Sequence, residues 1–379
     1  MPGTWLFFGG MSYFGGHEVM LLRWLEELEK DADLVSPRLL TRQQSRLLEW
    51  VSAPVRCEPF APLPSGWACW LDWWRELRLL RHTVHATKPE YVIVASGTLG
   101  HQVSHVVMLR LMGVRVLLYV PLLGTFASMG YRFGAWKDCF VRWFYAKVPR
   151  GWVAISEAQA NEFRDWAQPR GPVFVLPNTV ASSIEEAPRV ELRALDPGQP
   201  LRVLVLGRFD SHQKGLDMLV AHLTQAQPDD IAGLHFRFVG DGPYKPRIEA
   251  LLRAQPRLAG LVELQPWAPA RAVIEGSDVL LLPSRYEGVP LVMLEAMALG
   301  IPVVSSDLPG TSPYVPPSMR FAVGDMRGAM AILRRLRPLA LRQSLARQGR
   351  EAFEAKASGR AFAERVRELV DSVRSCVKD

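Results

Sequence analysis

The feature that most constrains this chain is the regular exchange of short apolar runs and segments of helical period. TWLFFGG leads into HEVMLLRWLEELEK, YVIVASG into HQVSHVVMLRLMG, and VRVLLYV follows; GWVAIS then leads into EAQANEFRDWA and VFVLPNTV. Strands apolar at nearly every position are covered on both faces, and strands joined through helices run parallel, so this rhythm predicts a parallel sheet sandwiched by helices. Residues 181–200, ASSIEEAPRVELRALDPGQP, break it with Pro, Gly and charge and read as a linker. The rhythm then restarts: LRVLVLG, LDMLVAHLTQA, LHFRFVG, YKPRIEALLRA, LVELQ, DVLLLPS, LVMLEAMALG and IPVVSSD. At 379 residues the chain is too long for one ordinary core. We expect an α/β protein of two Rossmann-like, doubly wound domains facing across a cleft. The first spans 1–185 and the second 186–355, with a helix in 356–379 packing back toward the first domain. Open sheets of this kind bind ligands beyond the carboxyl ends of their strands, so chemistry is expected in strand-end loops.

Composition narrows the setting. A chain that is 49% hydrophobic and 22% charged has enough apolar surface to fold, which excludes a disordered class. Cys57, Cys69, Cys139 and Cys376 are scattered with no C-x-x-C pair, which suits a reducing cytosol and no zinc site. The start, MPGTWLFFGGMSYFGG, has no basic n-region, so LFFGG reads as a first strand and not as a signal peptide. No apolar run reaches the roughly 18 residues a membrane span needs. Forty-five Lys and Arg against 38 Asp and Glu give +7, which favours an anionic partner; without a readable nucleic-acid motif, nucleic acid is not expected.

Three strand-end loops in the second half carry the candidate chemistry. LRVLVLGRFDSHQKGLDML sets Gly207, Arg208, Lys214 and Gly215 between a strand and a helix. Guanidinium, ammonium and free backbone N–H groups together suit a diphosphate, although a solvated loop with incidental charge accounts for the same residues taken singly. FVGDGPYKPRIEA holds Gly240, Asp241 and Gly242, where glycine permits close approach of a ligand or simply a tight turn. RYEGVPLVMLEAMALGIPVV separates Glu287 and Glu295 by seven residues. Pro290 suits the first helical turn, and the amides around Gly288, Val289 and Leu291 point toward an anionic or hydroxylated ligand. Carboxylates accept paired hydrogen bonds from vicinal hydroxyls, and a glutamate in an apolar helix calls for a partner or a ligand.

Together, R-x5-K-G after a strand, V-G-D-G-P, and S-R-Y-E-G-V-P-L-V-M-L-E-A-M-A-L-G-I-P-V-V resemble the C-terminal domain of retaining GT-B glycosyltransferases of family 4. The resemblance is dense over about residues 200–310 and thinner in the first half, where it rests on Gly15-Gly16-His17-Glu18, Ser156 and Pro177-Asn178. It implies transfer of a sugar from a nucleotide diphosphate sugar to a glycan or lipid-linked acceptor, with retention at the anomeric carbon, in surface polysaccharide or glycolipid assembly. The donor is a co-substrate, and no cofactor is expected. On this resemblance Arg208 and Lys214 hold the diphosphate, Glu287 with the segment Gly288, Val289, Pro290 and Leu291, whose non-proline amides can donate, holds the sugar, and Glu295 binds the ribose. Gly207, Asp241 and Gly242 line the donor pocket, and Gly15, Gly16 and His101 lie on the acceptor side. The family's histidine after the strand VRVLLYV is missing here, Pro121 or Leu122 standing in its place. His101 and His105 are substitutes, and His105, within an apolar helix, reads as a core residue. An epimerase or sugar phosphorylase on the same fold, or a non-catalytic nucleotide-sugar-binding subunit, are the alternatives.

Two further expectations complete the reading. Asp31 and Asp33 follow an acidic helix instead of closing an apolar strand, so they read as a solvated helix end, and no catalytic metal is expected. Eleven of twelve tryptophans lie at or before Trp166, and SGWACWLDWWRELRLLRH interleaves Trp67, Trp70, Trp73 and Trp74 with Arg75, Arg78 and Arg81. One helical face carrying rings beside arginines suits an anionic membrane surface, giving a peripheral enzyme on the cytoplasmic side of the cell membrane; packing of these rings into the core is the other outcome.

Overall fold

The computed structural model describes residues 3–9, 16–31, 33–42, 56–60, 69–95, 102–121, 125–127 and 132–376. It divides into two compact units, Met1–Asn178 with Phe362–Asp379, and Thr179–Ala361.

In the first unit the order is β1 (Thr4–Phe8), α1 (Gly16–Glu29), β2 (Ser36–Arg42), β3 (Arg56–Phe60), α2 (Cys69–Thr87), β4 (Tyr91–Ala95), α3 (Val103–Leu111), β5 (Val116–Tyr119), α4 (Gly134–Lys147), β6 (Gly151–Ala154), α5 (Glu157–Ala167) and β7 (Val173–Val175). Among the described residues these strands form one parallel seven-stranded sheet, ordered β3-β2-β1-β4-β5-β6-β7. Side chains alternate across it, as the period of a strand requires. Leu6 and Phe8 face a cluster built with Leu80 and Val84 of α2, Val106 and Leu109 of α3, Val141 and Phe144 of α4, and Phe163 of α5. Trp5 and Phe7 face the other way, packing on Tyr91 at 5.4 Å and on Trp24 of α1 at 5.2 Å. Right-handed crossovers explain this division: among the described connections, those that step from β3 toward β7 lie on one face, and that from β1 to β2, which steps the other way, lies on the opposite one. Ser156 caps α5 by accepting the N–H of Gln159 at 3.2 Å, while the Gln159 side chain accepts that of Ile155 at 2.8 Å.

The second unit runs α6 (Ser182–Glu185), β8 (Leu201–Leu206), α7 (Ser211–Lys214), α8 (Leu216–Gln225), α9 (Pro228–Ile231), β9 (Leu234–Val239), α10 (Lys245–Ala254), α11 (Pro256–Ala259), β10 (Val262–Gln265), α12 (Ala270–Ile274), β11 (Val279–Leu282), α13 (Leu291–Leu299), β12 (Val303–Ser306), β13 (Arg320–Phe321), α14 (Met326–Arg335) and α15 (Leu339–Lys356). Its described strands form a parallel sheet ordered β10-β9-β8-β11-β12-β13. The final helix, α16 (Gly359–Ser375), belongs to the first unit from Phe362 onward; there the Tyr91 hydroxyl donates to the Val373 carbonyl at 3.2 Å.

The stretch 181–200 is not a free linker. It begins as α6, the Val190 N–H donates to the Leu299 carbonyl at 2.8 Å, and the buried Arg342 guanidinium bonds the Arg193 carbonyl. Its Pro, Gly and charge spoil regular structure, but a carbonyl of α13 and a guanidinium of α15 pair with its backbone, so it packs as part of the second unit.

Candidate functional site

In the second sheet the strand order reverses between β8 and β11, and this is where a doubly wound sheet opens a crevice at its carboxyl end. Two of the three loops read from the sequence leave from these two strands. After β8 come Gly207 and the exposed Arg208, whose guanidinium donates to the Gln213 side chain at 3.2 Å and lies 3.8 Å from Asp210. Asp210 caps the single turn α7 by accepting the Gln213 N–H at 3.0 Å. Gly215 follows with φ +64°, and a Cβ there would overlap the Pro283 carbonyl in the loop after β11. Glycine is thus required both by its conformation and by the approach of the second loop.

Polar contacts tie the same loops together. The Arg285 N–H donates to the Gln213 carbonyl at 2.9 Å, and the Arg285 guanidinium forms two 2.7 Å bonds with Asp217. Burial alone would raise the Asp217 carboxyl, but the hydrogen bond and charge of Arg285 outweigh it and hold the group below its ordinary value. Lys214 Nζ donates to Glu287 Oε1 at 2.6 Å, and Ser284 Oγ donates to the same oxygen at 2.7 Å. The Glu287 side chain is 6% exposed and that of Lys214 23%. The two groups expected on diphosphate and on sugar therefore hold each other, with Glu287 Oε2 and further ammonium hydrogens left for a ligand. Gly207, Arg208, Phe209, Lys214, Leu216 and Ser284 line a shallow pocket here.

Helix α13 starts at Leu291, where the run LVMLEAMALG begins. Pro290 stands as its cap instead of in its first turn, because an extended ψ of 124° turns the chain there; the missing proline N–H is no loss at either position. Its carbonyl accepts the N–H groups of Met293 and Leu294, so those of Leu291 and Val292 have no carbonyl to reach inside the helix. Val289 is buried, and Gly288 sets its carbonyl against Gly310 so closely that a Cβ on Gly310 would overlap it. Glu295 lies half-buried one turn into this otherwise apolar helix and makes no hydrogen bond among the described residues; burial pushes its carboxyl up to about 7. Where it is ionised, such a carboxyl can accept hydrogen bonds from hydroxyls.

The third loop follows β9. A Cβ on Gly240 would overlap the Gly207 carbonyl, one on Gly242 would press on the Phe209 backbone, and the Phe209 N–H donates to the Asp241 carbonyl at 2.8 Å. These glycines are explained by the neighbouring chain, whose path they fix. The Asp241 carboxylate is exposed and accepts the Gly242 N–H at 2.8 Å.

Of the acceptor-side residues, Gly15 and His101 lie outside the described residues, and Gly16 opens α1, exposed. His105 is buried against Phe8, ring centroids 5.1 Å apart, with Nε2 3.8 Å from Glu76, as a core residue would be. Asp31 and Asp33 follow the end of α1. On α2, Trp73 is half-buried and donates to Ser104 at 2.9 Å, whereas Trp74 is 59% exposed and Arg75, Arg78 and Arg81 are exposed; Trp67 and the side chain of Trp70 lie outside the described residues. Sequence reasoning missed Ser284, Arg285 and Asp217. Arg285 sits inside the S-R-Y-E-G motif, but its partner is 68 residues away and no local signal joins them.

Residues 200–334 match the family model described as glycosyl transferases group 1. A segment of 119 residues is 34% identical to WcaL of Salmonella typhimurium, a protein named for colanic acid biosynthesis, over 29% of each chain. One of 198 residues is 28% identical to the sulfoquinovosyl transferase of Arabidopsis thaliana, covering 50% of this chain and 36% of that one. The chain therefore aligns with well under half the length of these curated relatives. In structure it is similar to sucrose-phosphate synthase from Thermosynechococcus elongatus, with TM-score 0.77, 18% identity, and 98% of this chain and 99% of that one covered. It is also similar to Anabaena HepE in complex with UDP-glucose, with TM-score 0.76, 15% identity, and coverage of 98% and 100%. The fold is GT-B, two parallel sheets with flanking helices, and the second unit carries a glycosyl transferases group 1 domain.

Proposed function

We propose that the chain is a retaining glycosyltransferase that moves a sugar from a nucleotide diphosphate sugar to a glycan or lipid-linked acceptor in surface polysaccharide or glycolipid assembly. The observation that carries this reading is the meeting, at one sheet's switch point, of two cations, two carboxylates and the free amides of a helix N-terminus. Arg208 and Lys214 neutralise the diphosphate as it leaves, so their charge does the work that an ion does in other transferases, and the reaction is independent of added metal. Glu287 and the amides at the start of α13 grip the sugar hydroxyls; Glu295 accepts from the ribose. The diphosphate departs from, and the acceptor hydroxyl arrives at, the same face of the anomeric carbon, which gives retention without a covalent sugar–enzyme intermediate. UDP-glucose, bound by the similar HepE, is the first donor to try. The work is done at the inner face of the cell membrane.

The test is to measure which nucleotide sugars raise the melting temperature, since a ligand at a hundred times its Kd adds about 2.7 kcal/mol. Each one that binds is then incubated with lipid-linked and soluble acceptors, and the product's anomeric configuration is read by NMR. An inverted product removes retention; binding without transfer to any acceptor favours a non-catalytic subunit.

A further inference from the structure

Helix α4 carries a surface that the donor site does not use. Its inner side is committed to the core through Val141 and Phe144. Its outer side repeats aromatic rings at intervals of four and three: Trp136, Phe140 and Trp143 are 75%, 52% and 53% exposed, and Phe133, which precedes the helix, is 69% exposed. Burying one such side chain is worth about 1.5–3 kcal/mol, so a row of them left in water is a strong docking surface.

Charge selects the partner. Arg132, Lys137, Arg142 and Lys147 are all exposed around the rings, with Arg132 5.1 Å from the Phe133 centroid and Lys147 5.5 Å from that of Trp143. The carboxylate of α4, Asp138, is turned away: its two oxygens accept the N–H groups of Phe126 and Ala127 at 2.7 and 2.9 Å. Interfaces between proteins are depleted in lysine, whereas rings flanked by cations match a headgroup layer, apolar beneath and phosphate above. The crossovers place α2 and α3 in the same helical layer as α4. Arg110 of α3 donates to the Val148 carbonyl at the end of α4, and α2 turns Trp74, Arg78 and Arg81 outward. The positive field therefore extends along the layer.

We propose that α4 docks this protein on an anionic lipid surface, lying in its plane with Trp136, Phe140 and Trp143 at the headgroup–acyl boundary and Arg132, Lys137, Arg142 and Lys147 on the lipid phosphates. This rests on the membrane-side location of the function above and not on its transfer chemistry. It moves the docking surface from α2, which the sequence pointed to, onto α4, with α2 adding charge.

The experiment is co-sedimentation of the full chain with phosphatidylcholine vesicles with and without phosphatidylglycerol. Binding is expected to the anionic vesicles and to weaken sharply at on the order of 0.5 M salt. Replacing Trp136, Phe140 and Trp143 with Ser together should reduce it roughly tenfold or more, with the nucleotide-sugar melting shift unchanged. A second variant, Lys137→Glu with Arg142→Glu, changes exposed charge alone and should weaken binding without touching the rings. Sedimentation of both variants like the parent overturns the proposal. So does a parent dimer in light scattering that the Ser variant converts to monomer, which would make this face an interface between copies. A nucleotide-sugar shift without vesicle binding sinks the docking surface and leaves the donor reading; vesicle binding without any such shift does the reverse.

Discussion

Glu295 is the residue whose environment says most. Its carboxyl, pushed up to about 7 by burial, binds a proton in the folded chain that the unfolded chain, with an ordinary value near about 4.3, has already lost. Between these values the folded state holds more protons, so its stability falls as pH rises through the window and stays low above it. Glu295→Gln should raise the stability at pH 8 by roughly 2 kcal/mol after allowance for partial exposure, seen as a higher melting temperature, and change little at pH 4. The same substitution should weaken donor binding, and in the parent protein donor affinity should fall as pH drops below about 7, where the acceptor oxygens become protonated. A gain in stability paired with a loss of nucleotide-sugar affinity, followed by calorimetry at both pH values, marks a ligand-binding carboxylate; unchanged affinity would remove Glu295 from the site. Lys214 makes the complementary case. Lys214→Ala should lower the transfer rate about a hundredfold or more through the lost charge on the diphosphate, and EDTA should leave the parent's rate intact. Because Glu287 then keeps only Ser284 among the described residues, a cost of about 1–3 kcal/mol is expected too, so rates are compared at temperatures where circular dichroism shows both proteins folded.

At the scale of the elements, the joint between the loops after β8 and β11 is the critical one, and Gly215 tests it. Gly215→Ala strains a φ of +64° and drives a Cβ into the Pro283 carbonyl, which must separate Lys214 from Glu287. Gly198, with φ +87° and nothing near its Cβ position, isolates the strain alone. Gly198→Ala should cost about 1 kcal/mol and Gly215→Ala at least 2, and only the latter should abolish the nucleotide-sugar melting shift; equal behaviour of the two would deny the joint a role. The fold was legible where burial is two-sided: β1, β4, β5 and β11 are apolar runs because helices cover both their faces, and β8 and β9 keep enough apolar positions, with Arg202, His235 and Arg237 half-buried among them, to read the same way. It was not legible in SPRLLTR and RCEPF, now β2 and β3, which close one end of the first sheet and carry polar residues that a central strand would not. Nor was α4 legible, since outward rings on top of an apolar inner side erase the amphipathic period. In the site, Glu287 and Glu295 could be read together because one loop and helix fix their spacing. The Lys214–Glu287 pair spans 73 residues and exists through strand order, which no local pattern encodes.

At the scale of the whole molecule, the two units differ in what a nucleotide sugar should do to them. The residues proposed to hold the donor, Arg208, Lys214, Glu287 and Glu295, all belong to Thr179–Ala361, so on that proposal the binding energy falls on openings that break the switch-point loops of that unit. A ligand suppresses those openings that destroy its site and leaves others alone. Hydrogen exchange followed by mass spectrometry, with and without a saturating nucleotide sugar, should therefore show slowed exchange in peptides covering 207–217 and 285–295. At a hundred times Kd the protection should approach about 2.7 kcal/mol, roughly a hundredfold. Peptides from β4 through β5, residues 91–119, should exchange as before, because their amides are held by the first sheet and its own core. Equal slowing in both regions would mean that the units open as one or that the donor is held elsewhere. Slowing confined to 91–119 would move the donor site out of the second unit altogether and, with it, the roles assigned to Arg208, Lys214, Glu287 and Glu295.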